Sequence, residues 1–308
     1  MTASTTRAAA EPALVSVVTP VLNAARFLDE AVASVRAQTY SRWELLLVDD
    51  GSDDGSAEIA QRWAALDPDR IRSLAHPGRS NRGSSASRNL GLLHARGQYV
   101  ALLDADDVWL PRHLADQVGL LALHPDAGFA YGPTIEWYGW TGQAADAARD
   151  HIPDLRMPRE RPLPQPGPLV DWVRRKAPSP CTCSVLVRRD VMEAVGGFEA
   201  AFTGMYDDQA FYAKICLATP VIAAAEATSR YRRHPDSCYS RAKATGRAAA
   251  DRRIFVEWLD TYLIAHGVTD RALRRAVRHE RRAARHPALG RAAERLARWL
   301  GRGASGLL

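Results

Sequence analysis

The chain has 308 residues, of which 46% are hydrophobic and 25% are charged, as is usual for a globular protein with a full core. It lacks an apolar run of about 18 residues, and residues 1–13 suit a disordered tail better than a secretory signal, so we expect neither a membrane-spanning nor a secreted protein. Four cysteines without zinc-finger spacing favour structural thiols in a reducing cytoplasm over a metal or redox role.

The net charge of +6 is unevenly distributed. Residues 246–308 contain 14 Arg, no Lys and 6 Asp or Glu, so this part carries +8 and the remainder carries −2. We predict a basic helical C-terminal extension there. No nucleic-acid recognition motif accompanies it, so we expect no nucleic-acid partner.

Strands and helices alternate in the first third of the chain. Apolar, β-branched runs predict strands over residues 14–19, 43–48, 71–74 and 98–103. Helical spacing of apolar residues predicts helices over residues 24–38, 56–66 and 86–95. Such alternation produces βαβ units, so we predict an α/β fold with a mostly parallel, Rossmann-like sheet flanked by helices, of which residues 14–125 form one half.

The pattern is looser over residues 126–242, which we expect to form the other half of the domain. Residues 152–180 contain eight prolines and predict an irregular or mobile loop. Cys181 and Cys183 alternate as in a strand, so their thiols should share one face. Strands are predicted over 129–138 and 183–187, and helices over 190–195, 207–218, 247–266 and 269–299.

An acidic segment ends the fourth predicted strand. Asp104, Asp106 and Asp107 follow directly after an apolar run. Two carboxylates spaced by two residues can face the same way and share a hard divalent cation, which in turn can hold a pyrophosphate. The alternative for so short a motif is a solvated acidic loop that caps the next helix.

Four segments in order carry a resemblance to a known family: VVTPVLN at 17–23, ELLLVDDGSDD at 44–54, ASRNLG at 86–91 and DADD at 104–107. Together they resemble the family 2 glycosyltransferases of the GT-A fold. The resemblance is strong over residues 14–123 and returns more weakly over 185–218. The late Gln-x-x-Arg-Trp motif of the processive branch is absent, so a non-processive member is expected.

The resemblance implies a nucleotide-sugar donor and a divalent metal, Mn²⁺ or Mg²⁺. Asp106 would be the direct metal ligand, Asp104 would lie near the metal or the ribose, and His234 would approach the metal or the diphosphate. The nucleotide-binding residues would be Thr19, Pro20, Asn23, Asp49, Asp50, Ser52, Arg88 and Asp104. Among them, Asp49 would accept the N3–H of a pyrimidine, and Arg88 would reach the base or the diphosphate.

The resemblance also indicates a general base. Asp207 and Asp208 stand where the family places an acidic pair before an aromatic helix, although Asp replaces the Glu that is common at the first position. Asp208 is the first choice for the base and Asp207 the second. An N-terminal helix cap is the structural alternative for both.

The resemblance thus implies inverting, metal-dependent transfer of one sugar, with a UDP-sugar favoured, to a hydroxyl of a glycan or lipid-linked glycan. The main alternative is an inactive nucleotide-binding or membrane-surface scaffold of the same fold. A nucleotidyltransferase is disfavoured because residues 20–25 contain neither glycine nor a basic residue. We expect a cytoplasmic protein, peripheral at the inner face of the membrane if residues 287–308 form a basic amphipathic helix that binds anionic lipid rather than packing on the domain.

Overall fold

A sheet of eight strands forms the centre of the structure, a computed structural model that describes residues 11–285. The strands are β1 Val15–Val21, β2 Trp43–Asp49, β3 Ile71–Ala75, β4 Tyr99–Leu102, β5 Val108–Trp109, β6 Phe129–Tyr131, β7 Thr134–Trp137, β8 Pro162–Leu163, β9 Val185–Arg188, β10 Val221–Ala223 and β11 Ser229–Arg232. The large sheet has the order β3-β2-β1-β4-β9-β6-β10-β8, and β5, β11 and β7 form a second, small sheet.

Helices cover both faces of the large sheet. They are α1 Leu28–Arg36, α2 Ser56–Leu66, α3 Ser84–His94, α4 His113–Leu123, α5 Ala144–Ala147, α6 Gly167–Val173, α7 Arg189–Ala194, α8 Asp207–Ala218, α9 Cys238–Ala244, α10 Ala248–Ala265 and α11 Arg271–Arg285. The predicted bounds of α2 and α8 are confirmed, whereas α1 begins four residues later than expected, after a turn.

The first four strands of the large sheet run parallel, as the βαβ pattern predicts. β1 pairs with β2 on one side and β4 on the other, and β3 pairs with β2. Residues at alternate positions of these strands are buried in separate apolar clusters on the two faces of the sheet. The carboxyl ends of the parallel strands lie at one edge, which is where open α/β sheets bind ligands.

β9 changes the direction of the sheet. It lies antiparallel between β4 and β6, and so joins the N-terminal strands to the later ones. The aromatic run at 129–138, predicted as a single strand region, is divided between β6 in the large sheet and β7 in the small one.

The expectation of an irregular loop over residues 152–180 is wrong in part. This segment contains the short strand β8 and the helix α6. Leu169, Trp172 and Val173 are buried and anchor α6 in the main core. Pro168 lies at the start of the helix, where a missing N–H costs nothing, so the prolines of this segment do not prevent helix formation there.

The C-terminal helices α10 and α11 pack against each other, α10 also contacts α8, and α11 contacts α6. The predicted amphipathic segment 287–308 and residues 1–10 of the predicted N-terminal tail lie outside the described residues. Within residues 11–285, the helices are each too short or too polar to cross a membrane.

Candidate functional site

The acidic loop after β4 meets the segment that follows β11. Asp106 Oδ2 lies 2.9 Å from Nε2 of His234. The backbone N–H of Arg232 donates to Asp107 Oδ1 at 2.9 Å, and its Nε donates to the carbonyl of Asp106 at 2.7 Å. These contacts place His234 beside the metal-binding motif that the sequence predicted.

The Asp106–His234 pair has the spacing of two ligands of one cation. Ligand atoms about 2.1 Å from a metal and at right angles to each other lie about 3 Å apart. The side chain of Asp106 is 28% exposed, so a cation can reach it. Nδ1 of His234 is buried and has no hydrogen-bond partner among the described residues. The donor set fits Mn²⁺ or Mg²⁺ with Asp104 close by in the same loop, and the metal role stays a prediction.

Arg88 lies between two carboxylates from different parts of the chain. One terminal nitrogen donates to Asp104 Oδ1 at 2.7 Å, and the other contacts Asp207 Oδ2. Burial opposes the charge of Arg88, but attraction to Asp207 and Asp104 outweighs it and raises the pKa of the guanidinium. Arg88 therefore stays charged and connects the acidic loop to the start of α8.

Helix α3 brings Arg88 to this position because Gly91 allows it to lie directly on β1. A Cβ atom at Gly91 would be 2.3 Å from Cγ1 of Val18, so a larger residue would displace the helix. Since both terminal nitrogens of Arg88 contact carboxylates here, its predicted contact with a base or diphosphate would require it to release one of them. That role stays a prediction.

Asp208 is the acidic residue at the start of α8 that Arg88 does not bind. Its Oδ1 accepts the N–H of Gln209 at 2.7 Å, and its side chain is partly buried. Burial, followed by the negative charge of Asp207, raises the pKa of Asp208 to about 7. A carboxylate with a pKa near neutrality is well matched to a general base.

Asp207 has a different environment from Asp208. It accepts a hydrogen bond from Ser84 Oγ at 2.7 Å in addition to its contact with Arg88. Asp207 is 7% exposed, so little of its surface is open to an acceptor. The geometry therefore favours Asp208 over Asp207 as a proton acceptor and makes Asp207 a partner of Arg88.

Asp49 occupies the end of β2, where the nucleobase was predicted to bind. It is 2% exposed, and its Oδ1 accepts the N–H of Ser52 at 3.1 Å. Its Oδ2 has no hydrogen-bond partner among the described residues, and the nearest cationic atom, on Arg79, is 3.7 Å away. This leaves one buried acceptor atom for a ligand N–H.

Asp50 shapes the loop that crosses this pocket. Its carboxylate accepts the backbone N–H groups of Arg82 and Gly83 at 2.7 and 2.9 Å. Gly51 next to it has a φ of +83°, and a Cβ there would lie 2.7 Å from the carbonyl of Arg79. Only glycine suits both the left-handed backbone and this close approach.

The remaining predicted nucleotide-binding residues lie within β1, in the turn after β1 and in the loop after β2. Asn23 donates its backbone N–H to Ser52 Oγ at 3.2 Å, and its Oδ1 accepts the N–H of Asp53 at 3.0 Å. Thr19 is buried, and its hydroxyl has no partner in residues 11–285. Pro20 lies within β1, at a position where it pairs in register with Val48. The structure thus brings Asn23 and Ser52 together at the strand ends near Asp49.

Sequence reasoning missed Arg232 as part of the site. Besides its contacts to the acidic loop, Arg232 forms an ion pair with Glu30 at 2.5 Å. Its guanidinium also lies over the rings of Trp137 and Phe27, at 4.4 and 4.7 Å from their centroids. These contacts join four distant segments, and the only signal in the sequence was the position of Arg232 two residues before His234.

A family model described as "Glycosyl transferase family 2" matches residues 16–196, more than half of the 308-residue chain. The chain belongs to glycosyltransferase family 2. The match includes the acidic loop, Arg88 and the nucleotide-pocket residues described above, and it ends before Asp207, Asp208 and His234.

Among curated family members, the chain is 34% identical over 119 residues to the UDP-Glc:alpha-D-GlcNAc-diphosphoundecaprenol beta-1,3-glucosyltransferase WfgD of Escherichia coli. This match covers 39% of the chain and 45% of that enzyme. The chain therefore matches less than half the length of such relatives.

Solved structures show that the fold is GT-A. The S. aureus protein TarS in complex with UDP-GlcNAc superposes with a TM-score of 0.66 at 16% identity, over 88% of this chain and 72% of that one. The mannosyltransferase PcManGT from Pyrobaculum calidifontis, in complex with GDP-Man and Mn²⁺, gives a TM-score of 0.61 at 20% identity, over 96% and 81% of the two chains.

Proposed function

We propose that this protein transfers a single sugar from a nucleotide-diphosphate sugar, with UDP-sugars favoured, to a hydroxyl group, with inversion at the anomeric carbon. The observation that carries the proposal is the difference in environment between Asp207 and Asp208 at the start of α8. Arg88 holds Asp207 and Asp104, while Asp208 remains partly exposed with a pKa raised to about 7 by burial and by Asp207.

The proposed reaction needs a base on the acceptor and positive charge on the leaving group. Asp208 would take the proton of the acceptor hydroxyl as its oxygen attacks the anomeric carbon. Asp106 and His234 would hold a divalent cation, with Asp104 beside them, and such a cation neutralises charge on the departing diphosphate. Arg88 keeps Asp104 and Asp207 in place, so these two carboxylates do not repel each other into other positions.

Asp49 supports a uracil-type base. Oδ1 of Asp49 already accepts the N–H of Ser52, whereas Oδ2 has no hydrogen-bond partner among the described residues and is the better placed acceptor for a ligand N–H. Uracil and thymine offer a single ring N–H, which matches one free acceptor atom. Guanine offers two adjacent N–H donors, which suit a carboxylate with both oxygens free. We therefore expect UDP or TDP to bind more tightly than GDP.

We propose a glycan or lipid-linked glycan as acceptor, which would bring the protein to an anionic membrane surface. The curated relative WfgD is named for transfer to a diphosphoundecaprenol-linked sugar. In this chain, α11 presents a stripe of exposed arginines spaced by three and four residues, for which no acidic partner occurs among the described residues: Arg271, Arg275, Arg278 and Arg282. Each basic residue near an anionic surface contributes about 1 kcal/mol to binding.

A transfer assay tests the reaction. The full chain is incubated with UDP-sugars, Mn²⁺ and a panel of hydroxyl acceptors that includes a polyprenyl-diphosphate sugar. We expect an α-linked donor to give a β-linked product, read from the coupling of the anomeric proton. A product that retains the α configuration would refute the inverting mechanism. If the protein binds UDP but catalyses neither sugar transfer nor slow hydrolysis of the donor, an inactive scaffold of this fold is favoured.

Liposome flotation tests the membrane contact separately. Wild-type protein should float with anionic vesicles and stay in the soluble fraction with neutral ones. Replacement of the four stripe arginines by Gln should abolish flotation. Exchange of the same number of exposed arginines elsewhere, Arg26, Arg36, Arg62 and Arg112, for Gln is the matched control. Equal flotation of both variants would remove α11 from the contact.

A further inference from the structure

Two thiols and one carboxylate lie close together next to the acidic loop. They belong to residues that have no role in the proposed reaction. Sγ of Cys181 lies 3.3 Å from Sγ of Cys183. One carboxylate oxygen of Asp107 and these two sulfur atoms all lie within 4.8 Å of one another. Asp107 and Cys183 are buried, whereas Cys181 is partly exposed and provides a route from solvent.

The two thiols meet for a reason that the sequence did not predict. Thr182–Ser184 form a turn of 3₁₀ helix rather than the start of a strand, so the alternation expected for Cys181 and Cys183 is wrong. The turn nevertheless places both sulfur atoms on the same side. Trp109 stabilises this turn by donating its indole N–H to the carbonyl of Cys183 at 2.6 Å.

Asp107 forms no ion pair with a basic side chain of residues 11–285. It is 0% exposed, its Oδ1 accepts the backbone N–H of Arg232, and its Oδ2 has no hydrogen-bond partner among the described residues. Each other buried acidic side chain in residues 11–285 has an Arg or His side chain within 4.0 Å: Glu44, Asp49, Asp50, Asp207, Asp260 and Glu280. A buried carboxylate without such a partner is costly, and a bound cation removes that cost.

We propose that Asp107, Cys181 and Cys183 bind one thiophilic divalent cation of the Zn²⁺ class. Tetrahedral ligation with metal–sulfur bonds of about 2.3 Å places two sulfur atoms about 3.8 Å apart, so the observed 3.3 Å needs an adjustment of a few tenths of an ångström. Binding forms two metal–sulfur bonds and one metal–oxygen bond, and the protons released by the two thiols, and by the Asp107 carboxyl where it holds one, pass to solvent.

This site differs in chemistry from the predicted site at Asp106 and His234. Thiolates select Zn²⁺ and related soft ions, whereas carboxylates suit Mn²⁺ and Mg²⁺. The two sites are neighbours in sequence, because Asp107 follows Asp106 directly. A cation on Asp107 would therefore tie the acidic loop to the turn that precedes β9, and would stabilise both.

Cobalt(II) titration of the full chain, kept reduced with a phosphine, tests the proposal. We expect a thiolate-to-cobalt charge-transfer band in the near ultraviolet that saturates at one Co²⁺ per chain and disappears when Zn²⁺ is added. Cys181→Ser and Cys183→Ser should each lose the band. Asp107→Asn should weaken Co²⁺ binding by at least roughly 10–100-fold, because changes to residues that only support metal ligands already cost that much.

Matched variants separate this site from its surroundings. The chain has two further cysteines, so Cys216→Ala with Cys238→Ser should keep the band. Asp106→Asn should also keep it. Absence of the band in the wild type, its persistence in either Cys181→Ser or Cys183→Ser, or its loss in Asp106→Asn would overturn the proposal. If Cys183→Ser fails to fold by circular dichroism, the partly exposed Cys181→Ser carries the test. No sugar transfer is measured, so the result is independent of the proposed function.

Discussion

Residues 14–125 and residues 126–285 are built in different ways. In the first part, the strands β1 to β4 are connected by helices and pair in parallel, and their polar residues follow the strand ends. In the second part, β9 runs antiparallel between β4 and β6, and the small sheet joins β5, β7 and β11 from three separate regions. Local patterns govern the first part, and long-range pairing governs the second.

The site lies where these two parts meet. Asp104, Asp106 and Arg88 belong to the first part, and Asp207, Asp208 and His234 to the second. The first part contains the predicted nucleotide-binding residues and the acidic loop, whereas the second part contains Asp207, which pairs with Arg88, and His234, which contacts Asp106. The comparison predicts that changes in the two parts affect different measurements.

The largest expected effect is on turnover, from a change at Asp208, where the two parts meet. Asp208→Asn keeps the shape of the side chain and removes the proton acceptor, so turnover should fall by roughly 10²–10⁴-fold. Affinity for UDP should change little, because Asp208 lies in the second part and Asp49 in the first. Turnover and UDP binding are measured on the same preparation. Asp190→Asn, at the exposed start of α7, is the matched control and should keep wild-type turnover. Wild-type turnover in Asp208→Asn would move the base to Asp207 or elsewhere.

The difference between the two parts also explains what could be predicted from sequence. The parallel strands and α2 follow from periodicity, because each element buries one face against its sequence neighbours. Asp106 and Asp49 could be predicted as site residues because they belong to acidic segments at the ends of apolar strands, and these segments carry the family resemblance. The contact of Arg88 with Asp207, by contrast, spans 119 positions and depends on packing that no local pattern encodes.

The prolines of residues 152–180 show the same limit. Proline marks irregular structure when it stands inside an element, but at the start of a helix it is compatible with helix formation. Burial of Trp172 among Tyr131 and Tyr212, at ring distances of 5.7 and 6.3 Å, decides the outcome at α6. That environment exists only once the large sheet has formed.

The second prediction tests whether this segment is structural. Trp172→Ala should lower the free energy of unfolding by about 3–5 kcal/mol, since it leaves a cavity in the main core. Ile152→Ala, at a site that is 53% exposed, is the control within the same segment and should have almost no effect. Chemical denaturation measures both. Equal stability of the two variants would mean that α6 is not anchored in solution and that the loop expected from the prolines is the better description.

The third prediction concerns the metal and the first part of the chain. With Mn²⁺ present, UDP at a fixed concentration of 100 times its dissociation constant under those conditions should add about 2.7 kcal/mol to stability. If Asp106 holds a cation on the diphosphate, this gain should be much larger with Mn²⁺ than with EDTA, and Asp106→Asn should remove the difference. Thermal unfolding with UDP, Mn²⁺ and EDTA provides the measurement, with the exposed Asp126→Asn as the matched control. Metal-independent stabilisation of the wild type would contradict the bridge.

The smallest expected effect is the pH dependence of stability at Asp208. Burial and Asp207 raise the pKa of Asp208 to about 7 in the folded chain, above its usual value of 3.8. Between these values the folded state holds a proton that the unfolded state has lost, so the contribution of Asp208 to stability falls as pH rises from about 4 to about 7 and stays at its low level above that. Asn does not titrate, so the variant does not lose this contribution as pH rises. The stability of Asp208→Asn minus that of wild type should therefore be larger at pH 8 than at pH 4, by on the order of 1–3 kcal/mol after solvent screening. Urea denaturation at both pH values measures the difference, and Asp190→Asn should show none of it. If the two proteins keep a constant difference across this range, Asp208 titrates as an ordinary carboxylate, and the electrostatic reason for preferring it as the base is lost.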